Sequence, residues 1–417
     1  MAINSKIIGV FNFARKDNAL LRTGVCAVLA AVLTFGGFVL PAPDGGVAEV
    51  HAAAGATTPE AAFNYFISNG SHRKYPFQGV YIKSIKKGYG KDIVVPATLG
   101  GLPVVSVALL DEKLTSLNVS ACSELYELNC EYNKLKALDL SANKKLKILE
   151  CSENQIKKLD VSMLVELEEL DCSGNKIKEI DVSMLNELKQ LYCSENKIES
   201  LDVAGLVKLK DLNCAENKIK RLDVSGFKEL ERLYCNNNSI KILGLASNAK
   251  LKSLDCGNNK IKKLGVSMLG ALKTLECNDN KISELKLGNL KKLNIVDCSN
   301  NKLTKLNVSS SKKLSELNCG RNKIKKLNVT KNIFLKDLYC DNNKLKKLNV
   351  AKNKRLESLS CYGNSIKGLN VSRNKKLGSL SVDERLPKNR LSPKLKNIAP
   401  FYFGDFGDYW DYDAYPC

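Results

Sequence analysis

The segment Leu146-Lys147-Ile148-Leu149-Glu150-Cys151-Ser152-Glu153-Asn154-Gln155-Ile156-Lys157-Lys158-Leu159-Asp160-Val161-Ser162 is one member of a series. Cysteines recur at 130, 151, 172, 193, 214, 235, 256, 277, 298, 319, 340 and 361, always 21 residues apart. An asparagine follows three residues after each, from Asn133 to Asn364. With the Cys counted as zero, Leu occupies −5 and −2, with Val296 as the one substitute. Ile or Leu occupies +5, Leu or Ile +8, and Val or Leu +10. A fixed period of this length marks a solenoid, in which each unit buries its apolar side against the next.

The local pattern specifies the element. Positions −2 and 0 are apolar, whereas −3, −1 and +1 are mostly polar, as in a strand with one buried face. Strands repeated every 21 residues can stack in register as a parallel ladder, one coil per unit. The Asn at +3 is then placed to satisfy backbone groups at the turn leaving the strand, shared between coils. Apolar spacings of three and then two at +5, +8 and +10 suggest a 3₁₀ turn followed by an extended piece. A coil of 21 residues leaves little room for an α-helix.

These residues resemble the leucine-rich repeat, L-x-x-L-x-C-x-x-N-x-I-x-x-L-D-V-S, in the short form of bacterial secreted and cell-surface proteins. Twelve uninterrupted units carry the resemblance, and degenerate ones extend it. Val104, Val107, Leu109, Leu114, Leu117 and Val119 keep the spacing at one end; Leu377, Leu380 and Val382 begin a last strand at the other. The resemblance implies a leucine-rich-repeat solenoid: a curved parallel β-sheet on the inner face, a short 3₁₀ or extended back, and little α-helix. It also implies adhesion or interaction with a host or community.

The organisation expected from the sequence has four parts. Residues 1–52 read as a cleaved signal peptide: Lys6, Arg15, Lys16 and Arg22 precede the apolar stretch Thr23–Leu40, and Val50-His51-Ala52 or Ala52-Ala53-Ala54 supplies small residues for cleavage. That stretch is short for a membrane span. Residues 55–103 form a small N-terminal β cap, with strands at Phe63–Ser68, Val80–Ile85 and Ile93–Pro96 separated by turn signals such as Asn69-Gly70. Residues 104–382 are the solenoid. Residues 383–417 are a tail punctuated by Pro387, Pro393 and Pro400, then rich in aromatics from Phe401 to Tyr415 and interleaved with Asp405, Asp408, Asp411 and Asp413. The tail either caps the last coil or serves as a docking segment.

Cysteine-rich secreted chains usually form disulfides. In-register strands lie about 4.8 Å apart with parallel side chains, whereas a disulfide needs Cβ atoms about 3.8 Å apart. The twelve repeated cysteines therefore read as small buried hydrophobes. No C-x-x-C pair suggests zinc, and neither a metal nor a cofactor is expected. Cys122 and Cys417 lie outside the series. Cys417 is either free or intermolecular.

Catalysis finds little support. His51 is expected to leave with the signal, so His72 is the mature chain's one histidine. There is no Cys-His or Ser-His arrangement and no phosphate-cradling glycine loop, so the chain reads as a non-enzyme.

The net charge of +21 conceals a division. Positions −3, −1 and +1 hold Glu127, Glu131, Glu150, Glu169, Asp171, Asp211, Asp255, Glu276, Asp297, Glu316, Asp337 and Asp341 but only one base, Arg232. Positions +4, +6 and +7 hold 24 Lys or Arg against Glu179, Glu199 and Glu284. The expected ligand-binding site is the inner face: Asp171, Tyr192, Asp211, Arg232, Tyr234, Asp255, Glu276, Asp297, Asp337, Tyr339 and Tyr362. Its acids suit a cationic protein or peptide, and its tyrosines could anchor one. Alternatively the rows are plain solvated surface that prevents aggregation, or the chain is a carbohydrate- or cell-envelope-binding scaffold using its Lys-rich flank to hold an anionic wall polymer or glycan. Nucleic acid is not an expected partner, since no recognition module is present. No stretch after the signal is apolar enough to span a bilayer.

Overall fold

A computed structural model describes residues 57–71 and 73–383. The expected signal segment with Cys26 and His51, His72 of the expected cap, and the tail with its prolines, aromatics and Cys417 lie outside the described residues.

The 21-residue unit closes one coil of a solenoid. Each repeat contributes a three-residue strand, such as Glu169–Asp171, Gln190–Tyr192 and Asp211–Asn213. Neighbouring strands pair in parallel with no slip: Leu170 faces Leu191, which faces Leu212. The ladder belongs to a 17-stranded sheet. The middle residue of each strand points inward with the Cys two positions on, and both are buried throughout. The −5, +5, +8 and +10 side chains fill the rest of one continuous core.

Among the described residues the one helical element is the 3₁₀ turn Glu60–Ala62, ahead of the first strand. The i to i+3 turn expected between +5 and +8 lies instead between +10 and +16, and the +5 to +8 stretch is extended with a bend. The back of the coil is made of bends and separate turns. In the first full coil, Asn143 N–H donates to Leu140 C=O at 2.9 Å and Leu146 N–H donates to Asn143 C=O at 3.1 Å. These bonds are three residues apart, so two turns form side by side and no helix propagates. Short additional pairings, such as Leu222–Asp223 with Leu243–Gly244, tie some backs together.

Ahead of the repeats, Phe63–Asn69 runs antiparallel to Gln78–Ile85, which pairs in parallel with Leu102–Ala108. This last strand starts the ladder by pairing with Glu127–Asn129. Phe66, Tyr75 and Tyr81 pack around one another beside Val105 and Tyr126 in a cluster of their own, while Phe63, Val80 and Ile82 join the continuous core.

Two asparagine columns connect the coils. At +3, Asn154 Oδ1 accepts from Leu135 N–H of the preceding coil at 2.9 Å, while Nδ2 donates to Cys130 C=O at 2.9 Å. The pattern repeats down to Asn364. The chain reaches this geometry through a left-handed residue at +2: Tyr132, Glu153, Glu195, Glu216, Asn237 and their counterparts have φ near +50°. Only Gly174 and Gly363 meet that requirement without a side-chain penalty. The second column, at +13, is intermittent. Asn143, Asn248, Asn332, Asn353 and Asn374 are buried there and donate to two carbonyls of the previous coil, as Asn143 Nδ2 does to Val119 and Cys122. Their Oδ1 atoms have no partner among the described residues. Other coils place Leu164, Leu185 or Phe227 at this position. Cys122 belongs to this column, thirteen residues after Leu109.

All thirteen cysteines among the described residues are free and buried. Burial pushes the Cys130 and Cys214 thiols up to about 12, so the column consists of neutral, weakly nucleophilic thiols.

Candidate functional site

In-register stacking turns repeat positions into columns. The −1 column runs Asp171, Tyr192, Asn213, Tyr234, Asp255, Glu276, Asp297, Asn318 and Tyr339. The −3 column runs Glu169, Gln190, Asp211, Arg232, Ser253, Thr274, Ile295, Glu316 and Asp337. Both lie on the outward side of the sheet, at the strand spacing of about 4.8 Å. Tyr362 stands apart at +1 of the last full coil.

Apart from buried Asp211 and exposed Arg232, these side chains are half-buried by their neighbours, more than an outward-pointing strand position suggests. Burial has an electrostatic consequence, because a carboxylate loses hydration while facing others. Burial first, then Glu131 and Glu169, push Glu150 up to about 7. Burial and the flanking Asp255 and Asp297 push Glu276 up to about 7. Burial raises Asp255 to about 6 against the hydrogen bond from Gly257 N–H, and it raises Asp297 despite bonds from Ser299 and Asn318. Asp255, Glu276 and Asp297 occupy three consecutive coils, flanked on the −3 side by Ser253 and Thr274 and, beside Asp297, by Ile295.

The middle of the face differs. Arg232 engages buried Asp211 through both nitrogens, Nε to Oδ1 at 2.6 Å and Nη2 to Oδ2 at 2.7 Å. Tyr192 and Tyr234 stand on either side of Asn213, two coils apart, and Tyr192 Oη donates to Gln190 Oε1 at 2.7 Å. Of the sequence-predicted residues, Tyr192, Asp211, Arg232 and Tyr234 thus form one cluster and Asp255, Glu276 and Asp297 a second. Asp337 and Tyr339 share a strand farther along. Gln190, Asn213 and Asn318 belong to the same surface but were not singled out, because a reading focused on charge and aromatics passes over amides; their column positions were the available signal.

Elsewhere, charges pair one coil apart: Lys145 with Glu124 at 2.7 Å, Lys208 with Glu187 at 2.6 Å, and Lys220 with Glu199 at 2.9 Å. Among the described residues no group of acids, His and Cys has the arrangement of a metal site, and no helix is long and apolar enough to cross a membrane.

A coil with its Leu-x-Cys strand inside, an Asn ladder at the turn and almost no helix defines a leucine-rich-repeat solenoid. The family model for leucine-rich repeats in two copies matches residues 144–186 and 228–267. Among solved structures, the functional domain of InlJ from Listeria monocytogenes, which includes a cysteine ladder, is 35% identical with a TM-score of 0.63. That match covers 67% of this chain and 62% of the Listeria domain. The internalin inlF of Listeria monocytogenes is 24% identical, covering 66% of this chain and 86% of that one at a TM-score of 0.61. A leucine-rich-repeat protein of Leptospira interrogans is 23% identical, covering 70% and 82% at 0.58. No curated protein matches.

Proposed function

We propose that the chain is an exported, non-enzymatic binding protein whose inner strand face takes a cationic protein or peptide. In this reading residues 1–52 direct export and are removed, residues 55–103 cap the solenoid, residues 104–382 present the ligand face, and residues 383–417 form a cap or docking tail. The mature protein acts in the surroundings of the cell or at its surface. The likeness to InlJ supports a bacterial surface or secreted setting.

One observation carries the reading: strand register stacks Asp255, Glu276 and Asp297 at about 4.8 Å on one face. A Lys or Arg side chain laid along that column would neutralise adjacent carboxylates that otherwise repel. The Tyr192–Arg232–Tyr234 cluster adds the residue types that concentrate binding energy in protein interfaces.

The test is the affinity of the full exported chain for a Lys/Arg-rich peptide and for a matched acidic peptide. Tight binding of the basic peptide, weakened about tenfold or more in Asp255→Asn/Glu276→Gln/Asp297→Asn, supports the reading. Equal affinity in that variant, or a preference for the acidic peptide, overturns it.

A further inference from the structure

The Lys-rich flank is not uniform along the solenoid. At +9, five consecutive coils carry an acid: Asp139, Asp160, Asp181, Asp202 and Asp223. The last four carry Asn307, Asn328, Asn349 and Asn370 instead. Both residue types perform the same structural task. Asp160 Oδ1 accepts from Ser162 N–H at 3.1 Å, and Asn349 Oδ1 accepts from Ala351 N–H at 3.0 Å. The turn is served by either, so the exchange leaves the fold alone and removes negative charge.

Other columns change in the same direction. At +12, Met163, Met184, Gly205 and Gly226 give way to Lys331, Lys352 and Arg373. Over positions +4, +6, +7, +9 and +12, the coils from Cys130 to Cys214 carry ten bases and seven acids. Those from Cys298 to Cys361 carry twelve bases and no acid.

A cavity of about 660 Å³ opens in that cationic stretch, between the Cys340 and Cys361 coils. Lys346, Lys347, Lys367 and Arg373 stand around it, with Asn349 and Asn370 between them. The space arises where Gly368 takes the +7 position that is Lys in the two coils before it, Lys326 and Lys347. Leu348 and Ala351 supply an apolar wall. Among the described residues, Lys346, Lys347 and Arg373 have no carboxylate partner, in contrast to Lys220, which meets Glu199 on the same +6 column of the earlier coils. The Asn349 and Asn370 Nδ2 groups are left over by their turns.

We propose that this groove binds an anionic polysaccharide. The apolar wall and lysine stems suit a sugar ring, the spare amides suit its hydroxyls, and the ammonium and guanidinium groups suit sulfate or carboxylate substituents. The volume lies in the range of small-ligand sites. Neighbouring Lys325, Lys326 and Lys352 continue the positive surface toward the preceding coil, so a chain extends along it. The site is separate from the inner strand face and does not depend on that reading.

The experiment titrates the full exported chain with a heparin oligosaccharide, with dextran as an uncharged glycan and with polyphosphate as a sugar-free polyanion. Wild type is expected to bind the heparin oligosaccharide, and to bind it more tightly than either control, with affinity falling as salt rises. Asn349→Asp/Asn370→Asp restores the acids found in the earlier coils and keeps the turn; it is expected to weaken binding about five- to tenfold. Lys157→Gln/Lys178→Gln makes the same net change in charge in the earlier coils and is expected to cost less than twofold. Equal losses in the two variants, equal binding of polyphosphate, or no binding of heparin oligosaccharide would overturn the proposal. So would binding that appears only after removal of residues 400–417, because the groove would then be the seat of the acidic tail.

Discussion

Asn259→Ala probes the asparagine ladder in the middle of the solenoid. Asn259 Oδ1 accepts from Ile240 N–H at 2.8 Å, and Nδ2 donates to the carbonyls of Cys235, Cys256 and Gly257 at 2.9, 3.2 and 3.0 Å. The acceptors are covered redundantly: Asn238 Nδ2 also reaches Cys235, and Asn280 Nδ2 also reaches Cys256. The donor is not, since Ile240 N–H has no second partner among the described residues. Deleting the amide therefore strands one buried N–H, at about 1–3 kcal/mol, and removes several bonds with a net worth of about 1 kcal/mol each. A loss of about 3–5 kcal/mol results. Cys256→Ala removes one buried sulfur and strands nothing, so it costs about 1–2 kcal/mol. Asn259→Asp keeps the acceptor but puts a carboxylate against the Cys235 carbonyl, and should be at least as harmful as Ala at neutral pH. Denaturant unfolding of the three variants followed by circular dichroism measures the differences, with midpoints compared at equal slope. If Asn259→Ala costs no more than Cys256→Ala, the ladder is not what couples the coils.

Further outcomes follow from the same geometry. A thiol reagent should leave the ladder cysteines of the native chain unlabelled and label most of them after denaturation without prior reduction, as counted by mass spectrometry; six linked pairs would contradict the free-thiol column. Glu150, Glu276 and Asp255 have folded-state pKa values above their ordinary ones. The folded chain thus holds more protons than the unfolded one between about pH 4 and 7, and stability rises as the pH falls through that window. A gain of about 1–3 kcal/mol between pH 8 and pH 5.5 is expected in denaturant melts, and it should shrink in Glu150→Gln/Glu276→Gln. Arg232→Ala leaves buried Asp211 without its cation and should lower stability by about 1–3 kcal/mol, with Asp211→Asn restoring part of the loss; an additive double variant would show that the pair does not interact.

Much of this was legible in the residues because stacking makes column and sequence position equivalent. The 21-residue interval, the Leu and Cys positions and the Asn at +3 identified the strand, its buried face and the ladder. The left-handed turn at +2 was not legible, since Tyr, Glu, Asn, Asp and Arg all occupy it and the surrounding bonds impose the conformation. The +13 column was hidden by alternation between Asn143 or Asn248 and Leu164 or Phe227. Apolar spacing alone does not say where on the back the i to i+3 bonds fall, which is why the turn was expected between +5 and +8 rather than after +10. On the inner face, alternation gave the direction of Asp255 and Glu276 but not their burial, which comes from neighbours one strand away. Counting the flank as a whole concealed its change from Asp160 and Asp181 to Asn349 and Asn370.

The inner-face account is tested most directly by proton release on ligand binding. A Lys/Arg-rich peptide is titrated calorimetrically into the full chain at pH 6.5, in buffers of different ionisation enthalpy. A cation settling over Glu276 and Asp255 must displace their protons, so the account predicts proton release and affinity that rises with pH, both lost in Asp255→Asn/Glu276→Gln/Asp297→Asn. Binding without proton release, or with release unchanged in that variant, would place the ligand elsewhere on the molecule.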